Sequence, residues 1–111
     1  MAGDVYIGQW KNDLQNGRGK LIKKSGDTFE GDFKNGKFDG ELIIRYANGS
    51  RFKGTYRKGK RNGAAIEEDK NGNRFEGSYV DDRRDGRFVE KDRNGNITRT
   101  GRYELGRRFE D

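Results

Sequence analysis

The sequence of 111 residues contains no cysteine, no histidine and no proline. Without cysteine there can be no disulfide, no thiolate nucleophile and no thiolate metal site. Without histidine, the side chain used most often as a general base and as a metal ligand is missing. Because proline is absent, no candidate strand is interrupted by a residue that cannot donate a backbone hydrogen bond.

Apolar residues are scarce: 28% of the chain is hydrophobic and 40% is charged, with a net charge of +6. No apolar run approaches the roughly 18 residues of a membrane helix, and Met1–Asp4 lacks the hydrophobic core of a signal peptide. We therefore expect a soluble, cytoplasmic chain. This composition is typical of disordered chains, but it also suits a repeat array in which each unit packs only on its neighbours.

Catalytic groups are few. The only serines are Ser25, Ser50 and Ser78, and none has a plausible base partner. Carboxylates are abundant, but they lie in predicted turns and on polar strand faces, where nothing buries an acid to raise its pKa. The sequence predicts that the protein is not an enzyme and binds no cofactor.

Glycine, in contrast, is plentiful and regularly spaced. Three glycine series recur every 23 residues: Gly8, Gly31, Gly54 and Gly77; Gly17, Gly40, Gly63 and Gly86; and Gly26, Gly49, Gly72 and Gly95. A disordered chain has no reason to keep such spacing, so the period indicates four copies of one supersecondary unit. We place the repeats at about residues 4–26, 27–49, 50–72 and 73–95, with a partial capping repeat at 96–111, in a single domain of residues 1–111.

Aromatic residues flank the first glycine of each copy, two positions before it and two after. The pairs are Tyr6 and Trp10, Phe29 and Phe33, Phe52 and Tyr56, and Phe75 and Tyr79. Alternate residues of an extended strand point to one face, so this spacing predicts a strand with both rings on the same side.

The connections are predicted from the remaining glycines. The polar stretch Lys11–Gly17 ends in Asn16-Gly17, a pair that tolerates positive φ, and therefore predicts a hairpin loop before a second strand from Arg18 to about Lys24. Ser25-Gly26 then turns the chain into the next copy. The predicted fold class is all-β: a single-layer, twisted antiparallel β-meander of tandem two-stranded hairpin repeats, with four copies spanning about 40 Å.

The pattern aromatic-x-Gly-x-aromatic, followed by Asn/Asp-Gly and a terminal glycine at the twenty-third position, resembles the MORN repeat. The first unit, Tyr6-Ile7-Gly8-Gln9-Trp10 with Asn16-Gly17-Arg18-Gly19, is the nearest match. Where the family often has histidine before the middle glycine, this chain has Asn16, Asp39, Asn62 and Asp85, and its second glycine survives only as Gly19. The resemblance implies a non-catalytic scaffold for protein–protein interaction or assembly, in a cytoskeletal, axonemal or membrane-contact complex.

The eight paired rings have a structural and a functional interpretation. They form the core of the sheet, but a single layer cannot bury both faces, so the row of rings also predicts a partner groove. A peptide helix, a strand or a second copy of the chain could fill it, and open terminal strands offer pairing into a dimer. The predicted groove residues are Tyr6, Trp10, Phe29, Phe33, Phe52, Tyr56, Phe75 and Tyr79.

Basic residues cluster in the third repeat. Arg57, Lys58, Lys60 and Arg61 share one hairpin, and Lys53 precedes them. The alternative function is therefore weak binding of anionic phospholipid, as in a peripheral membrane protein, through these five residues. A solvated face that keeps the ribbon soluble is the competing interpretation. We expect no nucleic-acid partner, because the rings are not interleaved with the cations as a stacking platform requires.

Two turns resemble calcium loops. In Asp69–Asn73 and Asp92–Asn96, oxygen-bearing side chains alternate, but Val80 stands where the chelating acid of the first loop is needed. We interpret both segments as Asn-Gly turns and predict no metal site.

Overall fold

The computed structural model describes residues 3–111; Met1 and Ala2 of the predicted domain lie outside the described residues. Eleven strands occupy most of the chain, and no helix occurs within residues 3–111. The strands are β1 (Val5–Lys11), β2 (Leu14–Ile22), β3 (Thr28–Lys34), β4 (Lys37–Arg45), β5 (Arg51–Arg57), β6 (Lys60–Glu68), β7 (Arg74–Val80), β8 (Arg83–Arg84), β9 (Gly86–Lys91), β10 (Ile97–Glu104) and β11 (Arg107–Glu110).

All eleven strands belong to one antiparallel sheet in meander order, in which each strand other than β8 pairs with the next long strand along the chain. The short β8 pairs only with the end of β7, and β9 continues the pairing after it. The sheet measures 48 × 27 × 20 Å. The all-β, single-layer antiparallel meander of hairpin repeats predicted from the sequence is confirmed. Among the described residues no helix is long and apolar enough to cross a membrane.

The hairpin turns lie earlier than predicted. A loop through Lys11–Gly17 is wrong, because a two-residue turn at Asn12 and Asp13 already joins β1 to β2. Both residues have positive φ, 51° and 65°, the conformation that matches the twist of a hairpin. The equivalent turns are Asn35–Gly36, Lys58–Gly59, Asp81–Asp82 and Leu105–Gly106.

The glycines at 17, 40 and 63 lie inside second strands instead of in turns. Between Gly8 and Trp10 the pairing partner in β2 advances from Gly19 to Gln15, so β2 carries two extra residues there. Gly17 has φ +85° in this bulge, a conformation that costs glycine little. The same glycine series therefore marks a bulge and not a hairpin tip.

One face of the sheet, here called the aromatic face, carries the core. Phe29, Gly31 and Phe33 of β3 point to it, and their cross-strand neighbours share it. Apart from Phe33, its buried hydrophobic residues form two clusters: Leu42, Ile44, Phe52, Ala65 and Tyr79 in one, and Phe75, Phe88 and Tyr103 in the other. The opposite face is mostly polar, with single exposed apolar residues such as Ile7 and Ile66.

Candidate interaction surfaces

The eight predicted groove rings differ sharply in exposure. Phe33, Phe52, Phe75 and Tyr79 are buried within the chain itself, and Tyr6, Phe29 and Tyr56 are half-buried. Only Trp10 is open, with 57% of its surface exposed. A continuous groove lined by all eight rings is therefore absent from the described part of the chain, because neighbouring side chains already cover the four buried rings. The exposed ring surface lies at the β1 end of the sheet.

In the first, third and fourth repeats the central glycine lets the preceding ring lie flat over the backbone. A Cβ atom on Gly8 would stand 2.7 Å from the Tyr6 hydroxyl oxygen, and one on Gly77 would stand 2.7 Å from Cζ of Phe75. No side chain fits in that space. The rings are then close enough to touch their neighbours: Tyr6 meets Trp10 at 5.0 Å and Phe33 at 5.1 Å between centroids, both edge-on.

Two arginines replace a ring toward the C-terminal end. Phe38, Arg61 and Arg84 occupy the same repeat position, and the two guanidinium groups cover rings of the aromatic face. That of Arg61 lies 4.5 Å from the centroid of Tyr79, and that of Arg84 lies 3.8 Å from the centroid of Phe75. Sequence reasoning missed Phe38 and Arg84 and assigned Arg61 to lipid binding, although the 23-residue spacing of the three could have revealed their shared position.

Arg84 is also the centre of a hydrogen-bond network. It donates to the hydroxyls of Tyr79 and Tyr103 at 3.2 Å each and to the carboxylate of Glu67 at 3.3 Å, and Tyr79 donates to Glu67. Burial lowers the pKa of Arg84, but the hydrogen bonds to Tyr79 and Tyr103, together with the charges of Tyr79 and Glu67, raise the pKa overall. A cavity of about 570 Å³ borders this network. The arginines that line the cavity form ion pairs with its glutamates, as expected of a structural network: Arg51 and Arg74 with Glu68, and Arg84 with Glu67.

A second surface lies on the opposite face beside the hairpin turns. Lys34 stands directly opposite Lys37, and Arg57 directly opposite Lys60, with Lys58 in the turn between the latter two. These five residues are here called the basic margin, and within residues 3–111 none of their charged side-chain nitrogens has a carboxylate within 4 Å, although the Asp39 carboxylate accepts a hydrogen bond from the backbone N–H of Lys58 at 3.1 Å. Like charges placed opposite each other destabilise a sheet, so nothing in sheet packing favours this arrangement.

Two of the predicted lipid-binding residues lie away from the basic margin. Arg61 pairs with Tyr56 on the aromatic face, and its Nε lies 3.1 Å from the Asp82 carboxylate. Arg61 therefore cannot bind a lipid headgroup together with Arg57 and Lys60. Lys53 is on the opposite face, but in the middle of the sheet between Ile43 and Ile66. Successive side chains of a strand point to opposite faces, so basic residues that are close in the sequence do not all share one surface.

A family model described as the MORN repeat matches this chain in four consecutive copies, at residues 6–28, 29–51, 52–74 and 75–97. The chain belongs to the MORN repeat family. No curated protein matches it. MORN repeats are in general non-catalytic modules of interaction or membrane association, which agrees with a site made of rings, glycines and surface charge.

The calcium-like loops of these MORN repeats are used for turn formation. The Asp69 carboxylate accepts hydrogen bonds from the backbone N–H groups of Asn71 at 2.8 Å and Asn73 at 3.0 Å. Asp92 does the same with Asn94 and Asn96, each at 2.9 Å. No group of three or more acidic side chains suited to a metal occurs from residue 3 onward. The oxygens that suggested calcium thus serve the turns between repeats.

Proposed function

We propose that this MORN domain is a non-catalytic scaffold that binds a protein partner through Tyr6 and Trp10, the open end of the aromatic face. One observation carries the proposal: Trp10 is 57% exposed, whereas Phe33, its equivalent in the next repeat, is 5% exposed. A large exposed indole beside a half-buried tyrosine is typical of an interface anchor. Cytoskeletal, axonemal and membrane-contact assemblies are the settings we propose for it.

The scaffold function is tested by chemical crosslinking and affinity capture from the native source, with the captured proteins identified by mass spectrometry. We compare the wild type with Trp10→Ser and with the matched control Val80→Ser, which removes an apolar residue of similar exposure from the opposite face. The wild type and the Val80 variant should retain the same partner, and Trp10→Ser should lose it. A partner retained equally by all three proteins would contradict a site at Trp10.

A second candidate function is binding of anionic phospholipid by the basic margin. It is supported by the unpaired, like-charged cross-strand pairs Lys34–Lys37 and Arg57–Lys60 among the described residues. Anionic headgroups attract such cations with about 1 kcal/mol per residue, in a manner that salt screens. The orientation that follows places the hairpin turns against the membrane and the aromatic face away from it.

Lipid binding is tested by co-sedimentation with phosphatidylcholine vesicles, with and without phosphatidylinositol phosphate, at low and physiological salt. The triple variant Arg57→Glu, Lys58→Glu, Lys60→Glu should stay in the supernatant. The control variant reverses the same number of charges on the other side of the ribbon, in the turns between repeats, with Lys24→Glu, Lys70→Glu and Arg93→Glu. It should still sediment. Equal loss in both variants would indicate a response to net charge alone and would contradict a basic-margin site.

A further inference from the structure

The two edges of the sheet are built differently. At one edge, Ile7 and Trp10 of β1 have 60% and 57% of their surface exposed, and Lys11 is the only charged residue among the seven of this strand. At the other edge, β11 has only four residues, Arg107–Glu110, and Arg108 pairs with Glu110 at 3.0 Å. A short, charged strand resists pairing with another chain, whereas a long apolar strand invites it. The chain is thus protected at its C-terminal edge and open at β1.

The open side of β1 is occupied in the other repeats. The N–H of Lys23 donates to the carbonyl of Asp27, which makes these two residues a hydrogen-bonded pair between β2 and β3. Such pairs alternate along antiparallel strands, so Phe29, Gly31 and Phe33 of β3 also direct their N–H and C=O groups toward β2. Tyr6, Gly8 and Trp10 hold the same places in β1, but no strand of residues 3–111 lies on that side of them. Three N–H and three C=O groups therefore point toward solvent.

We infer that β1 pairs, antiparallel, with β1 of a second copy of this chain, with the twofold axis at Gly8. This inference rests on the proposed function and names a partner for the same end of the sheet. Gly8 then faces Gly8 of the second copy, as Gly19 faces Gly31 between the first two repeats. Tyr6 stands opposite the second copy's Trp10 on the aromatic face, so both exposed indoles gain a ring neighbour.

The register of this pairing follows from the exposed backbone groups of β1. Gly8 is the middle residue of the three whose N–H and C=O groups point away from β2, so antiparallel pairing about Gly8 lets Tyr6 and Trp10 of each copy bond to Trp10 and Tyr6 of the other. Because the interface is the same surface on both copies, it closes after two chains and leaves the two protected β11 edges at the ends.

The dimer is tested by sedimentation equilibrium of the wild type, Ile7→Glu and Ile66→Glu. Ile7 lies opposite Lys20 in its own chain, so a glutamate is tolerated there, but across the twofold axis the two carboxylates come within about 8 Å of each other. We expect the wild type to dimerise and Ile7→Glu to raise the dimer dissociation constant at least about tenfold. Ile66→Glu, on the same face between Lys53 and Glu76 but in β6, should leave it unchanged.

Amide hydrogen exchange locates the interface. On raising the protein concentration, exchange should slow at Tyr6, Gly8 and Trp10, while Val5 and Ile7, which face β2, should not change. A monomer at all concentrations up to about 1 mM, equal dissociation by Ile66→Glu, or protection confined to β11 would overturn the inference. A monomer that still captures a partner through Trp10 would refute the second copy as partner and leave the proposed scaffold function standing.

Discussion

Leu42 lies directly opposite Gly31, and its side chain fills the space above that glycine with 1% of its surface exposed. Ala65 holds the same position opposite Gly54, and Gly19 opposite Gly8. The second and third repeats therefore cover their central glycines with side chains of different size. Where the side chain is missing, in the first repeat, the ring of Tyr6 lies over both glycines and the aromatic face is least covered.

Leu42→Ala should lower the free energy of unfolding by about 2–5 kcal/mol, because it leaves a cavity in a core that is one layer deep. Urea unfolding followed by circular dichroism measures the change. Leu105→Ala is the control, since Leu105 is 81% exposed in the last turn and should change stability by less than about 0.5 kcal/mol. A loss of similar size in both variants would contradict a core centred on Leu42.

Arg84→Lys should lower the free energy of unfolding by about 1–3 kcal/mol, because an ammonium group cannot stack on Phe75 and also bond Tyr79, Tyr103 and Glu67. Arg83→Lys is the matched control. Arg83 is exposed on the opposite face, so its variant should unfold like the wild type. Denaturant unfolding at one pH compares the two, and equal stability of both variants would contradict a structural role for the Arg84 network.

Stability should be nearly flat between about pH 5 and 8, because the chain has no histidine, and should fall in acid. Hydrogen bonds from Asn96 and Asn94 hold the pKa of Asp92 below its usual value of 3.8. A carboxyl group whose pKa is lower in the folded chain stabilises the fold at pH values above its pKa in the unfolded chain. This stabilisation is lost as the pH falls through its pKa in the folded chain.

The Asp92 contribution is measured with Asp92→Asn, which keeps an acceptor oxygen for the turn but does not titrate. Its urea midpoint should drop less between about pH 7 and 2 than that of the wild type. Asp13→Asn is the control, because the Asp13 carboxylate accepts no hydrogen bond within the described chain. An identical acid response of Asp92→Asn and the wild type would disprove the assignment.

Alkaline pH should also unfold the protein through Tyr56. Burial, followed by the charge of Tyr46, raises the pKa of Tyr56 from 10.0 to about 12. Between these values the unfolded chain releases the proton and the folded chain keeps it, so stability declines as the pH rises. Tyr56→Phe should weaken this decline, as measured by unfolding at about pH 8 and 11. An unchanged pH response would show that Tyr56 titrates normally.

Periodicity predicted the strands because it reports which residues share a face. The spacing of Phe29, Gly31 and Phe33 was sufficient for the meander, since period-two alternation leaves a strand few alternatives. The hairpin turns were misplaced because Asn16-Gly17 and Asn12-Asp13 both accept positive φ. Only cross-strand register decides which pair makes the turn and which glycine enters a bulge.

The sequence by itself determined the repeat, the family and the all-β class, because these depend on spacing along the chain. Tertiary structure decided which rings remain available to a partner, which basic residues share a face, and which edge is open. Phe33 and Trp10 occupy equivalent positions in the sequence, yet one is buried and the other exposed. The physical reason is that burial in a single-layer sheet comes from the neighbouring strand, and β1 has a neighbour on one side only.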